Sequence, residues 1–301
     1  MAIEIIRVTE DLRPQFEAYC LKYGAEHDSS YLPGRDVTLS EEHPSYMALE
    51  DGEMIGAVSL MRTENFLSVG KGRFSIFHTK TGLPGIYQDL LSAIWPHVQD
   101  LQFIYLFIPE TKADMAKVLE MLGFAVERYS FILERGGLTL PEPIFPEGME
   151  VIPLGPDDGD GIKQFVDCIN EEFKELAGHT RSTVEYMRTW FDDEGYIKNG
   201  ICLLKMGQEP IGTIAMMHDM DEITAGEIMA FGILKKYRGK ELGRKLFRYG
   251  FNFLINEGLT PVYLSVNGEN RGAIRLYESE GFQITDSVVC YSMNPDKDLP
   301  G

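Results

Sequence analysis

The residues best suited to chemistry lie at positions 235–245, where the chain reads Lys-Lys-Tyr-Arg-Gly-Lys-Glu-Leu-Gly-Arg-Lys. An apolar stretch, residues 228–234, runs into this short basic turn, and a helix-like run at 246–256 follows directly. The turn offers free backbone N–H groups and the helix its positive dipole end, so the junction suits a phosphate group. Arg238, Lys240, Arg244 and Lys245 surround it in a chain of formal charge −19. The pattern predicts an anion site.

The elements that must position this turn come from a plan used twice. Residues 46–58 and 201–214 each read strand, tight turn, strand. Each half then offers a further strand (73–78; 228–234), a helix (86–97; 246–256) and a buried-looking strand (103–108; 262–266). A helix ending in Gly-Phe follows, at Gly123-Phe124 and Gly281-Phe282, and then a last strand at 129–134 or 287–293. Ile211 lies 156 positions after Ile55, and Gly281 lies 158 after Gly123. So small a drift in register points to duplication. Residues 136–148, dense in Pro and Gly, read as a linker between domains at 1–135 and 149–301. Asp157-Asp158-Gly159-Asp160 lacks the alternating ligands of a calcium loop and reads as an acidic helix start.

Bulk composition narrows the function classes. At 301 residues, with 44% apolar and 25% charged side chains, the chain has the material for two packed domains. Its acidity argues against nucleic acid as a partner, because phosphate backbones need a cationic face. Cys20, Cys168, Cys202 and Cys290 are far apart, show no metal spacing and read as reduced packing thiols. The start lacks a basic and hydrophobic leader pattern, and no apolar run is long enough to span a bilayer, so the expected location is cytoplasmic with no membrane partner.

The second half resembles the GNAT acetyltransferase superfamily. Arg238, Gly239, Leu242 and Gly243 match the family's turn, and Asn270, Tyr277, Gly281 and Phe282 match the Asn, the helical Tyr and the Gly-Phe that follow. Glu241 stands where the family has glycine. The resemblance covers residues 150–293 well and reaches the first half only through the order of strands and helices. It implies an α/β (α+β) fold of two tandem GNAT-like domains. Each would be a mixed, mostly antiparallel sheet flanked by helices, its central parallel strand pair splayed for CoA. In the first half Leu119 aligns with Tyr277 and Lys112 with Asn270, and Thr79-Lys80-Thr81-Gly82 replaces the arginine-glycine turn, which implies a degenerate copy without the CoA loop.

The resemblance further implies acetyl-CoA as co-substrate, with no metal, and transfer of the acetyl group to a primary amine by direct attack in a ternary complex. Arg238, Gly239, Lys240, Glu241, Leu242, Gly243 and Arg244 would hold the pyrophosphate. Ile233 and Leu234 would line the pantetheine arm, and Asn270 would cap a helix or bind the pantetheine amides. Tyr277 is the candidate acid for the leaving thiolate, and Glu227 the candidate base. Strand alternation places Glu227 on one face with Met229, Phe231 and Ile233. His218 and Asp219 are weaker candidates. The acidic region 161–192, with Glu171, Glu172, Glu175, Glu185, Asp192 and Asp193, would cover the acceptor site, its charges read as solvated. The acceptor is a small molecule or a peptide amine, and a homodimer is open. The rival readings are a CoA- or acyl-CoA-binding module without catalysis, and a scaffold with a drifted phosphate loop.

Overall fold

The computed structural model describes residues 3–26, 39–176 and 181–296. The chain divides into two compact units, Met1–Ser130 with Ser287–Gly301, and Phe131–Asp286. In the first unit β1 (Ile3–Arg7), α1 (Arg13–Tyr23), β2 (Ser45–Glu50), β3 (Glu53–Met61), the one-turn α2 (Glu64–Leu67), β4 (Lys71–Thr79), α3 (Pro84–Ile94), β5 (Phe103–Pro109) and α4 (Ala113–Met121) follow in order. β6 (Ala125–Arg135) then carries the chain into the second unit. There follow β7 (Met149–Pro153), α5 (Gly159–Phe173), α6 (Val184–Thr189), β8 (Tyr196–Met206), β9 (Glu209–His218), β10 (Gly226–Ile233), α7 (Leu242–Asn256), β11 (Val262–Asn267) and α8 (Arg271–Ser279). β12 (Gln283–Met293) returns the chain to the first unit.

The strand order within each unit repeats one plan. β1 to β5 lie side by side in chain order, and so do β7 to β11. Within these two runs neighbouring strands pair antiparallel except β4 with β5 and β10 with β11, which are parallel and joined by the crossover helices α3 and α7. The sixth position holds a surprise for the sequence reading. In the first unit it is filled by β12, whose Val288–Met293 stretch pairs antiparallel with β5 from Pro109 back to Ile104. In the second it is filled by β6, next to β11. The final strands are exchanged, so boundaries at 135 and 149 do not coincide with the compact units. Side-chain burial follows the exchange: Val289, Tyr291 and Met293 join the first unit's core, while Leu133 joins the second's.

Amphipathic spacing explains the helices that frame the second unit. α7 buries Leu242, Leu246, Phe247, Phe251 and Leu254, a stripe at helical spacing, against β9, β10 and β11. α5 buries Ile162, Phe165, Ile169 and also Glu172 on its own stripe. The acidic run before α5 is a helix start: Asp158 accepts a hydrogen bond from the Gly161 N–H at 2.8 Å.

The Pro- and Gly-rich stretch 136–148 is pinned to the second unit. The buried amide of Asn252 accepts from the Leu140 N–H at 2.7 Å and donates to the Leu140 carbonyl at 3.0 Å. Asn252→Ala would strip both partners from that backbone, and we expect a loss of about 2 kcal/mol in urea unfolding. Limited proteolysis should then cut within residues 136–148, and an unchanged pattern would mean that other contacts hold the strap.

Candidate active site

The second unit opens a cleft where its two parallel strands part. β10 and β11 pair only from Gly226–Ile228 to Val262–Leu264, and beyond that point no pairing joins them. A bulge on β10 drives the separation: its register against β9 slips between Met229 and Gly232, and Ala230 sits at φ 47°. A non-glycine residue in that left-handed region is strained, so neighbouring bonds must hold it. The resulting cleft has a volume of about 850 Å³ and is lined by β10, the turn before α7, the end of β11 and one face of α8.

The bulge corrects one sequence expectation. Simple alternation would keep Glu227, Met229, Phe231 and Ile233 on one face. Met229 and Ala230 instead pack with the α5 cluster, whereas Phe231 and Ile233 pack with the α7 cluster. The extra residue reverses the alternation after Met229, which leaves Glu227 on the face shared with Met229.

At the mouth of the cleft the turn keeps its anion-binding character. Gly239 has φ 77° and Glu241 φ 59°, and no side chain caps α7. The first helical bond runs from the Lys245 N–H to the Glu241 carbonyl at 3.1 Å, so the N–H groups ahead of it have no helical acceptor. Leu242 is buried, so only its backbone faces the turn. The cationic side chains divide their duties. Arg238 donates to the Ile233 carbonyl at 2.7 Å and so ties down the end of β10. Arg244 pairs with Glu241 at 3.2 Å and also with Glu280, whose side chain is 1% exposed and is shared with Arg248. Lys240 lies 5.8 Å over the Tyr237 ring, and no described carboxylate pairs with it or with Lys245. Of the four cations flagged in the sequence, Arg244 alone has a described carboxylate partner, and Arg238 is tied to a backbone carbonyl.

Glu241 occupies a left-handed position that glycine adopts without penalty. Its carboxylate also adds a negative charge to a turn fit for anions. We expect Glu241→Gly to tighten the binding of a diphosphate ligand by about threefold to fivefold, the scale of one partly screened like charge. Titration calorimetry at two salt concentrations would check this, since the gain should shrink as salt rises.

Glu227 and Tyr277 both line this cleft. Glu227 is partly buried on β10, and burial first, then the carboxylates of Asp219 and Asp221, push its carboxyl up to about 7. Tyr277 is 6% exposed, its ring packed on Phe247 at 5.0 Å and on Phe231 at 6.1 Å. Burial raises its phenol well above the usual range, so it holds its proton at neutral pH. Asn270 caps α8, its side chain accepting from the Ala273 N–H at 3.2 Å, and also lines the cleft. Leu234 donates its N–H to the Ile211 carbonyl at 2.9 Å and stands at the start of the turn. The weaker candidates are committed elsewhere: His218 Nδ1 lies 2.9 Å from the Ile223 carbonyl, and Asp219 accepts from the N–H groups of Asp221 and Glu222.

One cleft residue was grouped by sequence with solvated charges and proves otherwise. Glu172 is 7% exposed and lines the cleft. Its signal was its spacing, three residues after Ile169 and seven after Phe165 on the apolar stripe of α5. Glu175, by contrast, is an exposed partner of Lys235 at 3.0 Å. Among the described residues no group of three His, Cys, Asp or Glu side chains comes together in a metal-binding arrangement.

The Acetyltransferase (GNAT) family profile matches residues 163–282, which span the bulged β10, the turn and the Gly-Phe of this cleft. Residues 163–282 of the chain carry a GNAT acetyltransferase domain. The protein is an acyltransferase. Among related proteins, the mycothiol acetyltransferase of Corynebacterium efficiens is 26% identical over 264 residues, covering 83% of this chain and 80% of that protein. Two solved structures share the GNAT fold along nearly all of the chain. A GCN5-related N-acetyltransferase from Sphaerobacter thermophilus has a TM-score of 0.70 at 17% identity, covering 97% of this chain and 95% of its own. A tandem GNAT protein from the clavulanic acid biosynthesis pathway has a TM-score of 0.67 at 12% identity, covering 97% and 98%. Among the described residues no helix is long and apolar enough to cross a membrane.

Proposed function

We propose that this GNAT enzyme transfers an acetyl group from acetyl-CoA to a primary amine by direct attack in a ternary complex. The observation that carries the reading is a single cleft that joins an uncapped helix start, a parted parallel strand pair and two groups fit for proton transfer. The residues fit the co-substrate. The turn from Arg238 to Arg244 would hold the diphosphate by backbone N–H groups, helped by Lys240 and Lys245. The stretch of β10 parted from β11, ending at Ile233 and Leu234, with Asn270 across the cleft, would line the pantetheine arm. Acetyl-CoA supplies the activated acyl group.

Glu227 takes the proton of the incoming ammonium, so that the amine nitrogen forms its bond to the acetyl carbon as the C–S bond breaks. A backbone N–H at the bulge of β10 stabilises charge on the carbonyl oxygen, and Tyr277 gives its proton to the departing sulfur. Direct attack is favoured over a covalent intermediate on sulfur because all four cysteines are buried and burial pushes every thiol up. Buried, reduced thiols also fit a cytoplasmic location. The name of the Corynebacterium relative supports acetyl as the donor group and a small molecule as the acceptor.

The first unit is proposed as a copy that has lost this chemistry. Its parallel pair also parts after three residues, Lys71–Arg73 against Phe103–Tyr105. Yet Leu119 is fully buried where the second unit has Tyr277, and Lys112 is drawn to Glu26 at 3.1 Å. The whole assignment is tested by calorimetry with acetyl-CoA, followed by thiol release with a panel of small amines and peptides. Binding with turnover on at least one amine is expected. Binding without turnover on any of them would favour a CoA-binding module, and failure of well-folded protein to bind would remove the assignment.

A further inference from the structure

Glu172 has no part in the proton transfers above, yet it is the most deeply buried carboxyl in the cleft wall. Its Oε2 lies 2.9 Å from Thr213 Oγ1, and its Oε1 lies 3.6 Å from Cys168 Sγ. Thr213 Oγ1 is in turn 2.7 Å from the carbonyl oxygen of Ala230, the strained residue of the β10 bulge. A threonine hydroxyl carries one proton. The Ala230 carbonyl can only accept, so Thr213 donates to it. The contact between Thr213 and Glu172 must then draw its proton from the carboxyl, and the Cys168 thiol donates to the other oxygen. Every polar atom of the chain Cys168–Glu172–Thr213–Ala230 is satisfied only when Glu172 is a neutral acid.

The surroundings agree. Facing the carboxyl are Cys168 from α5, Thr213 from β9, the Gly232 backbone from β10 and the Arg238 guanidinium from the turn. Asp167, Glu171 and Glu175 share its helix, and Glu175 is paired with Lys235. Burial pushes the Glu172 carboxyl up to about 8, against the opposing pull of Thr213, Cys168 and Arg238. A Cβ at Gly232 would stand 2.3 Å from Oε2, so the strand comes as close to this carboxyl as only glycine permits.

We infer that Glu172 is a positioning residue which, as a neutral acid, fixes the Ala230 bulge through Thr213 and so holds open the parting of β10 from β11. Its link to turnover rests on the acetyl-transfer reading; its protonation does not. The raised carboxyl sets the sign. The folded form keeps a proton that the unfolded form releases, so the stability this group contributes is present at low pH and is lost as pH rises from the ordinary 4.5 toward about 8.

The test uses the full chain as wild type, Glu172→Gln, Glu172→Ala, Thr213→Val and Thr213→Ser. Urea unfolding at about pH 5 and about pH 9 should show a decline in the wild type that is reduced in Glu172→Gln, with Glu227 common to both. Infrared difference spectra at neutral pH should show a protonated carboxyl band in the wild type that Glu172→Gln lacks. The glutamine amide can donate to Thr213 and accept from Cys168, so kcat/KM for acetyl-CoA should stay within about threefold. Glu172→Ala and Thr213→Val should lose about tenfold or more through misplacement of the cleft, and Thr213→Ser should recover it. Equal pH slopes and no difference band would overturn the neutral acid. A glutamine variant as impaired as the alanine variant would show that an ionised carboxylate is required instead. If the wild type acetylates no amine, the reaction assignment fails while the slope and the band still report on Glu172.

Discussion

Tyr277→Phe is expected to lower kcat by about a hundredfold or more, the range of a lost general acid, while acetyl-CoA affinity stays within about twofold. The asymmetry follows from the geometry. The ring of Tyr277 packs against Phe231, Phe247 and Phe282, and a phenylalanine ring preserves those contacts. Only the hydroxyl is removed. Burial keeps that hydroxyl protonated, while the leaving thiol titrates near about 8.5, so the phenol is the weaker acid and serves by sharing its proton as charge builds on sulfur. Steady-state kinetics beside calorimetry separates the two effects. Unchanged turnover would return Tyr277 to a packing role and leave the departing thiolate to be protonated by solvent.

The second large effect is expected at Glu227. Glu227→Gln should reduce kcat/KM at neutral pH by about a hundredfold, since the glutamine amide cannot take a proton from the ammonium. The pH dependence carries more information than the size of the loss. With its carboxyl pushed up to about 7, Glu227 is the active carboxylate only above that point, so wild-type kcat/KM should fall as pH drops below about 7. Stability runs the other way. A raised carboxyl value means that the folded chain holds a proton the unfolded chain has lost, so this contribution to stability fades as pH climbs from 4.5 to about 7. Glu227→Gln should flatten the rate profile and remove this share of the stability decline, leaving the share of Glu172. A rate profile that keeps its acid limb in the variant would move the base elsewhere, with Asp219 the next candidate.

Much of this was legible in the sequence because it depends on local pattern. The glycine turn, the helical run at 246–256 and the paired Gly-Phe ends each fix a neighbourhood of a few residues; the structure has them, with the helix beginning four residues earlier, at Leu242. The parts that were not legible depend on partners far apart in the chain. Nothing local to residues 129–134 or 287–293 says which unit each strand joins, since both follow a Gly-Phe and both offer a strand-like pattern. The bulge at Ala230 follows from a one-residue slip against β9 and a hydroxyl at Thr213, neither of which leaves a motif. Arg244 looked like a phosphate ligand because its partner Glu280 lies 36 residues away. Glu172 was the exception with a local clue, a carboxylate sitting in an apolar stripe, which the abundance of acidic residues around it concealed.

The exchange of β6 and β12 changes how the molecule could ever be divided. No single scission releases either unit whole. Cutting after residue 286 strips a strand from the half that holds the N-terminus, and cutting near residue 140 leaves that half's missing strand on the other fragment. The first unit is built from chain on both sides of the second, and β6 and β12 run across residues 130 and 286, so removal of one unit would take part of a strand from the other.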